Sequence, residues 1–284
     1  MKKLNADKVR TAVRENYAEV AKAGGAAGCG CSASTSSCCG GTSTEKEAGE
    51  TSRKLGYSED DLAKMPPGAN MGLGCGNPQA IASIRPGDIV LDLGSGGGFD
   101  AFLAVRQTGL EGRVIGVDMT PEMIALARKN AQKLGLNNVE FRLGEIEALP
   151  VLNDSIDVII SNCVINLSPE KMKVFREAVR VLKPGGRLAV SDVVASAKLP
   201  NEIKSDIQLL SGCISGASEI GELESMLKTA GFEEIRITPK EQSREFIRDW
   251  APGRKLEDYV VSADIQAQKP KNADRGCCGP NCCG

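Results

Sequence analysis

Eleven cysteines and no histidine occur in this chain. The combination narrows the available chemistry at once, because histidine is the commonest general base and the commonest transition-metal ligand. Cys75 in GLGCGNP, Cys163 in ISNCVIN and Cys213 in LSGCISG each adjoin small or polar residues at an expected element end, where a side chain can reach a cleft. One such cysteine reads most simply as a small buried hydrophobe. Three in these settings argue for a soft ligand set, since thiolates select soft acceptors. The remaining cysteines fall in two glycine-rich segments: Cys29, Cys31, Cys38 and Cys39 in GGAAGCGCSASTSSCCGGTST, and Cys277, Cys278, Cys282 and Cys283 in KPKNADRGCCGPNCCG. Neither segment has the large apolar residues needed to build a core.

The elements that must position the three internal cysteines follow from periodicity. Residues 6–23 place Val9, Val13, Tyr17 and Val20 at helical spacing. Short β-branched runs at 88–94, 113–119, 139–144, 156–162 and 187–194 read as strands. Between them, 120–135 opens on Thr120-Pro121 and closes on Gly135, so it carries both punctuation marks of a helix. The stretch 169–186 repeats that logic and stops at Pro-Gly-Gly. After Val194 two helices are expected around a Gly/Ser break at 211–218, followed by late strands in FEEIRITPK and DYVVSADIQAQ that complete the sheet as an antiparallel edge. The expected architecture is α/β: a mostly parallel seven-stranded sheet with helices on both faces. Ligands in such sheets sit outside the carboxyl ends of the strands. Four segments are expected: 1–54, an N-terminal helix and cysteine-rich stretch; 55–195, a cofactor-binding core; 196–268, substrate-binding helices and late strands; and 269–284, a cysteine-rich tail.

The turn VLDLGSGGGFD joins a buried strand to a helix start through Gly94, Ser95, Gly96 and Gly98, which lets a ligand approach backbone amides. A dinucleotide fingerprint requires Gly or Ala where this chain has Phe99, which counts against nicotinamide. Asp118 ends the second strand and can accept hydrogen bonds from both hydroxyls of a ribose. At the end of the third strand, Glu145 can accept from an adenine amino group and Ile146 can pack on the ring. Asp92 can face a cationic amine. Met119 and Asn162 belong to the same set of strand ends. The succession DLGSGGG, GVDMT, GEIEALP and LKPGG resembles the Rossmann-like class I S-adenosylmethionine-dependent methyltransferases, which implies that cofactor.

A sulfonium methyl donor needs an aimed nucleophile and exclusion of water. Three converging thiolates without histidine suit catalytic zinc poorly. They suit trivalent arsenic, whose lone pair can attack a methyl group without a general base. At this point residues 55–268, most specifically GANMGLGCGNPQAIASIRPGDIVLDLGSGGGFDAF, SNCVINLSPEK, LKPGGRLAVSD and LSGCISGA, resemble the microbial branch of the S-adenosylmethionine-dependent arsenite methyltransferases. The resemblance implies repeated methylation of arsenite, with arsenic(III) on Cys163 and Cys213 and Cys75 as a further thiol for binding or disulfide exchange. It also implies an N-terminal partner for Cys75, open among Cys29, Cys31, Cys38 and Cys39, with Cys38 and Cys39 preferred. A thiol reductant such as glutathione or thioredoxin would be required to reopen the disulfide. Asn162 and Asn166 either orient the Cys163 loop or serve as local caps. The C-terminal cysteines either capture arsenite or scavenge metals generally.

Composition bears on the rivals. Lys plus Arg (35) nearly balances Asp plus Glu (37), so no basic field draws the chain to nucleic acid or to anionic membrane. The start, MKKLNADKVRTAVREN, is charged throughout and does not read as a secretory signal. A cytoplasmic monomer is expected, where thiols stay reduced. A quinone-type or sterol C-methyltransferase would need a base and an aromatic pocket, whereas only 10 of the residues are Phe, Trp or Tyr. A non-catalytic thiol-rich metalloid binder would have no use for the Asp92, Asp118 and Glu145 set.

Overall fold

Runs rich in Val and Ile, bounded by glycine, become strands because branched side chains pack well on a pleated surface. The computed structural model describes residues 6–23, 45–204, 206, 209–210 and 212–271. All eight cysteines of the two glycine-rich segments fall outside them.

The sheet consists of β1 (Ile89–Leu93), β2 (Arg113–Asp118), β3 (Val139–Leu143), β4 (Ile156–Asn162), β5 (Leu182–Ala195), β6 (Glu233–Lys240) and β7 (Val260–Gln268). Its order is β3-β2-β1-β4-β5-β7-β6. The first five strands pair in parallel, and β7 runs against both β5 and β6, so the late strands close that side through antiparallel ladders with β6 at the edge. The longer helices are α1 (Ala6–Lys22), α2 (Glu45–Lys54), α3 (Phe99–Thr108), α4 (Pro121–Lys133), α5 (Lys171–Val181) and α6 (Ile220–Ala230).

Successive side chains alternate across the sheet. Leu91, Leu93 and Ile159 pack with Phe175 of α5 and Leu227 of α6, while Val90, Val158 and Ile160 pack with Phe102 and Val105 of α3. Each fully buried side chain of this kind contributes about 1.5–3 kcal/mol of transfer free energy. The alternation also decides the site: Asp92 falls on the α3 face at the carboxyl end of β1, where an acidic residue would not survive deeper in the layer without a partner.

Two expected boundaries moved. Helix α5 stops at Val181, and Leu182 already pairs with Ile156 as the first residue of β5. The Pro-Gly-Gly stretch is therefore inside the strand, where a register shift between Ile156 and Val158 absorbs it before pairing resumes at Arg187. In the late region a short helix, Asn201–Lys204, precedes α6, and the chain between Gly212 and Ser218 forms tight turns.

No described helix is long and apolar enough to cross a membrane.

Candidate active site

The cofactor half of the site starts from backbone shape. Gly94 has φ of 67°, and a Cβ there would lie 2.4 Å from Val164 Cγ2, so only glycine permits the turn after β1. The next residues fold back on β2: Gly96 N–H donates to Asp118 Oδ2 (3.0 Å) and Thr120 N–H to Asp118 Oδ1 (2.8 Å). Above this turn lies a cleft, open to solvent, lined by Asp92, Ser95, Asp118, Met119, Ile146, Asn162 and Cys163 among others.

The lining carries an unbalanced negative charge. Burial pushes the Asp92 carboxyl well above the usual range, and the neighbouring charges of Asp100 and Asp118 push it further. Burial likewise raises Asp100, opposed by hydrogen bonds from Tyr57, Asn162 and Gln79, and raises Asp118, opposed by the amides of Thr120 and Gly96. Asp92 Oδ2 and Ser95 Oγ are buried with no hydrogen-bond partner among the described residues. Orphaned acceptors beside clustered carboxylates fit a cationic ligand that also offers N–H donors, as S-adenosylmethionine does.

Helix α1 roofs this cleft with Arg10, Val13 and Tyr17. Arg10 donates to Glu170 Oε2 (2.6 Å) and Glu147 Oε1 (3.3 Å), and Arg14 to Glu145 Oε1 (3.2 Å). Glu145, expected at an adenine amino group, is thus held by two arginines and does not line the cleft, whereas Glu147 does. Gly98 also lies off the lining. It precedes α3 with φ of 97° and packs toward Phe102 and Phe141.

The thiol half is assembled at the ends of β4 and β5. Cys75 and Cys163 form a disulfide, and their sulfurs lie within 4.8 Å of a carboxylate oxygen of Asp192. Cys213 Sγ donates to the carbonyl oxygen of Cys163 at 2.6 Å. Cys163 and Cys213 both adopt left-handed backbone, with φ of 56° and 63°. For non-glycine residues that conformation costs about 1–3 kcal/mol each, and it persists only where surrounding contacts impose it. Here they are visible: Cys163 N–H donates to Ser191 O (2.8 Å) and Cys213 N–H to Leu210 O (2.8 Å).

Asn162 knits the two halves together. Its Oδ1 accepts from Cys75 N–H (3.1 Å), and its Nδ2 donates to Gly76 O (2.9 Å), Tyr57 Oη (3.1 Å) and Asp100 Oδ2 (3.2 Å). Asn166 acts one turn later, donating to Asp192 Oδ1 (2.8 Å) and Val193 O (2.6 Å). Burial raises Asp192 to about 6 against the opposing charge of Lys171, and burial lowers Lys171 to about 8.

The three internal cysteines expected to act together therefore do converge, but as a bonded pair with Cys213 against the backbone of Cys163. The third ligand-type atom near the pair belongs to Asp192, which the sequence reading left unassigned. Its signal was available: one acidic residue in the apolar run LAVSDVV, at the carboxyl end of the strand beside β4. Tyr57, whose hydroxyl donates to Asp100 Oδ1 (2.7 Å), had no comparable signal, because its contact spans 43 positions of sequence.

Residues 84–231 match a family model described as a methyltransferase domain. The chain is 51% identical over 268 residues to an arsenite methyltransferase of Halobacterium salinarum, covering 94% of this chain and 68% of that one. It is 42% identical over 152 residues to the human arsenite methyltransferase, covering 50% of this chain and 40% of that relative. The crystal structure of an arsenic(III) S-adenosylmethionine methyltransferase from Chlamydomonas reinhardtii superposes with a TM-score of 0.57 at 33% identity, covering 79% of this chain and 74% of that one.

Proposed function

The chain belongs to the arsenite methyltransferase family, and from that premise we propose that it methylates trivalent arsenic held on Cys163 and Cys213, with Cys75 as the exchange thiol. The observation that carries this reading is the convergence of Cys75, Cys163 and Cys213 near the ends of β4 and β5, with Cys163 lining the carboxylate-rich cleft and Cys75 and Cys213 buried against it.

S-adenosylmethionine supplies an electrophilic methyl group on a sulfonium. Asp118 would accept from its ribose, Asp92 and Ser95 would receive its ammonium, Ile146 and Met119 would pack on its base, and α1 would exclude water above it.

Arsenite, or arsenite carried by a small thiol, loses oxygen or thiol ligands as Cys163 and Cys213 attach to arsenic. The protons leave with the displaced ligands. The arsenic lone pair would then take the methyl group as its C–S bond to the sulfonium breaks and a neutral thioether leaves, so arsenic rises formally from trivalent to pentavalent and no base is needed. Return to the trivalent state takes two electrons. Cys75 and Cys163 provide them by closing the Cys75–Cys163 disulfide, which releases Cys163 from arsenic. An external dithiol such as reduced thioredoxin, or glutathione, must then reopen it. Such a cycle belongs in a reducing compartment, for which the cytoplasm is the natural choice.

Incubation with arsenite, labelled S-adenosylmethionine and a thiol, followed by speciation of arsenic, tests the assignment. Label should pass into methylated arsenicals and should cease to pass in Cys163→Ser and in Cys213→Ser. Full turnover in either variant would remove the thiol-pair assignment while leaving family membership intact.

A further inference from the structure

Lys171 opens α5, far in sequence from Cys213, yet it lies against both cysteine-bearing loops. The side chain is half-buried with its ammonium enclosed, and each of its three ammonium protons has an acceptor: Asn166 Oδ1 at 2.6 Å, Ser218 Oγ at 2.8 Å and the carbonyl oxygen of Gly216. Asn166 sits three residues after Cys163, and Gly216 and Ser218 sit three and five residues after Cys213. One cation thus holds one loop by a side chain and the other by a carbonyl and a hydroxyl. Through Asn166 the contact continues to Asp192 on β5 (2.8 Å).

The two loops also touch directly. A Cβ on Gly216 would lie 2.0 Å from the carbonyl oxygen of Asn166, so the backbones meet closer than any side chain allows. Ala195 N–H donates to Ser218 O (2.9 Å), which fastens the Cys213 loop to the end of β5 as well.

We propose that Lys171 is a positioning residue for the substrate thiols: its bridge from Asn166 to Gly216 and Ser218 fixes the separation of Cys163 and Cys213, and so sets how tightly they chelate arsenic. The proposal rests on the thiol-pair reading above. Lys171 bonds neither sulfur of the Cys75–Cys163 disulfide, so opening that bond removes none of the bridge's hydrogen bonds. A buried ammonium next to a buried carboxylate is expensive to desolvate and contributes little net stability, which accords with a role in geometry.

The test uses the full chain, reduced, with every cysteine except Cys163 and Cys213 replaced by serine. The probe is phenylarsine oxide, which condenses with two thiols and releases water, and whose chelate resists a monothiol competitor. Lys171→Met is expected to weaken capture of the probe at least roughly tenfold, as for loss of charged hydrogen bonds, and to leave S-adenosylmethionine affinity within about twofold. In the otherwise native chain it should raise KM for arsenite more than it lowers kcat. Lys171→Arg should recover part of the capture. Ser218→Ala, which strands no charge, should weaken capture by a smaller factor, and Gly216→Ala should do so by forcing the loops apart.

Unchanged capture in both Lys171→Met and Ser218→Ala overturns the bridge. If Lys171→Met does not fold, unchanged capture in both Ser218→Ala and Gly216→Ala overturns it. A parent chain that fails to chelate the probe overturns the thiol-pair reading and the bridge together, whereas a parent that chelates as well as its variants overturns the bridge alone.

Discussion

The two halves of the site stand at the same carboxyl edge of the sheet, but they are built by different means. The cofactor half comes from short-range structure: β1, a turn that only Gly94 allows, and Asp118 directly across the ladder, where Leu93 pairs with Val117. The thiol half draws on three segments separated by 88 positions from Cys75 to Cys163 and by 50 from Cys163 to Cys213. The first is held by backbone amides and paired strands. The second is held by buried side chains, Asn166 and Asp192, and by half-buried ones, Asn162 and Lys171. Damage should therefore stay local in the cofactor half and spread in the thiol half, because removing one member of a buried polar network leaves its partners unsatisfied.

The sharpest test of that contrast is Cys163→Ser. Methyl transfer should be lost while calorimetric titration still shows S-adenosylmethionine binding close to normal. Joint loss of both would mean the halves are not separable. Next comes Asp118→Ala, which removes a charged acceptor and should raise the cofactor's KM by roughly tenfold or more, with capture of an arsenical by the reduced protein unaffected. An unchanged KM would show that the end of β2 does not hold the ribose.

Cys75→Ser should separate binding from reduction. A single methylation under pre-loaded conditions is expected to survive, and repeated turnover with a dithiol to slow. Equal loss in both regimes would make Cys75 a ligand throughout.

The smallest effect expected is on pH dependence. Asp92, Asp100 and Asp118 all titrate above the ordinary carboxylate range because they are buried. A cationic cofactor favours their ionised forms, so protons compete with it. Affinity should fall as pH drops through that raised range and level off above it. A flat titration curve would indicate that these carboxylates stay in one state throughout.

Much of the cofactor half was legible in the chain because its determinants are local. A strand that ends in Asp-Leu-Gly, a glycine turn and an acidic residue at the next strand end need only one ladder to meet. Asn162 was grouped with cofactor contacts, and the structure adds that it also anchors Cys75 and Asp100. Glu145 and Glu147 show the limit of such reading: both pair with Arg10, and Glu145 also with Arg14, through contacts that arrive from the distant helix α1. The boundary of α5 was misplaced because a β-ladder to β4 overrode the stop that Pro-Gly-Gly suggests in isolation.

The sequence by itself determined the α/β class, the order of the seven strands along the chain, the glycine turn, and three internal cysteines in a chain that has no imidazole. These follow from local propensity and from residue chemistry, which need no knowledge of the fold. Only the tertiary structure decided that Cys163 bonds Cys75 and receives the Cys213 thiol on its carbonyl, that both Cys163 and Cys213 take left-handed backbone, and that the Lys171 ammonium and Asp192 lie buried beside them. Those outcomes depend on how β5 lies against β4 and on which loops its end brings together, and contacts across such distances leave no periodicity in the chain to read.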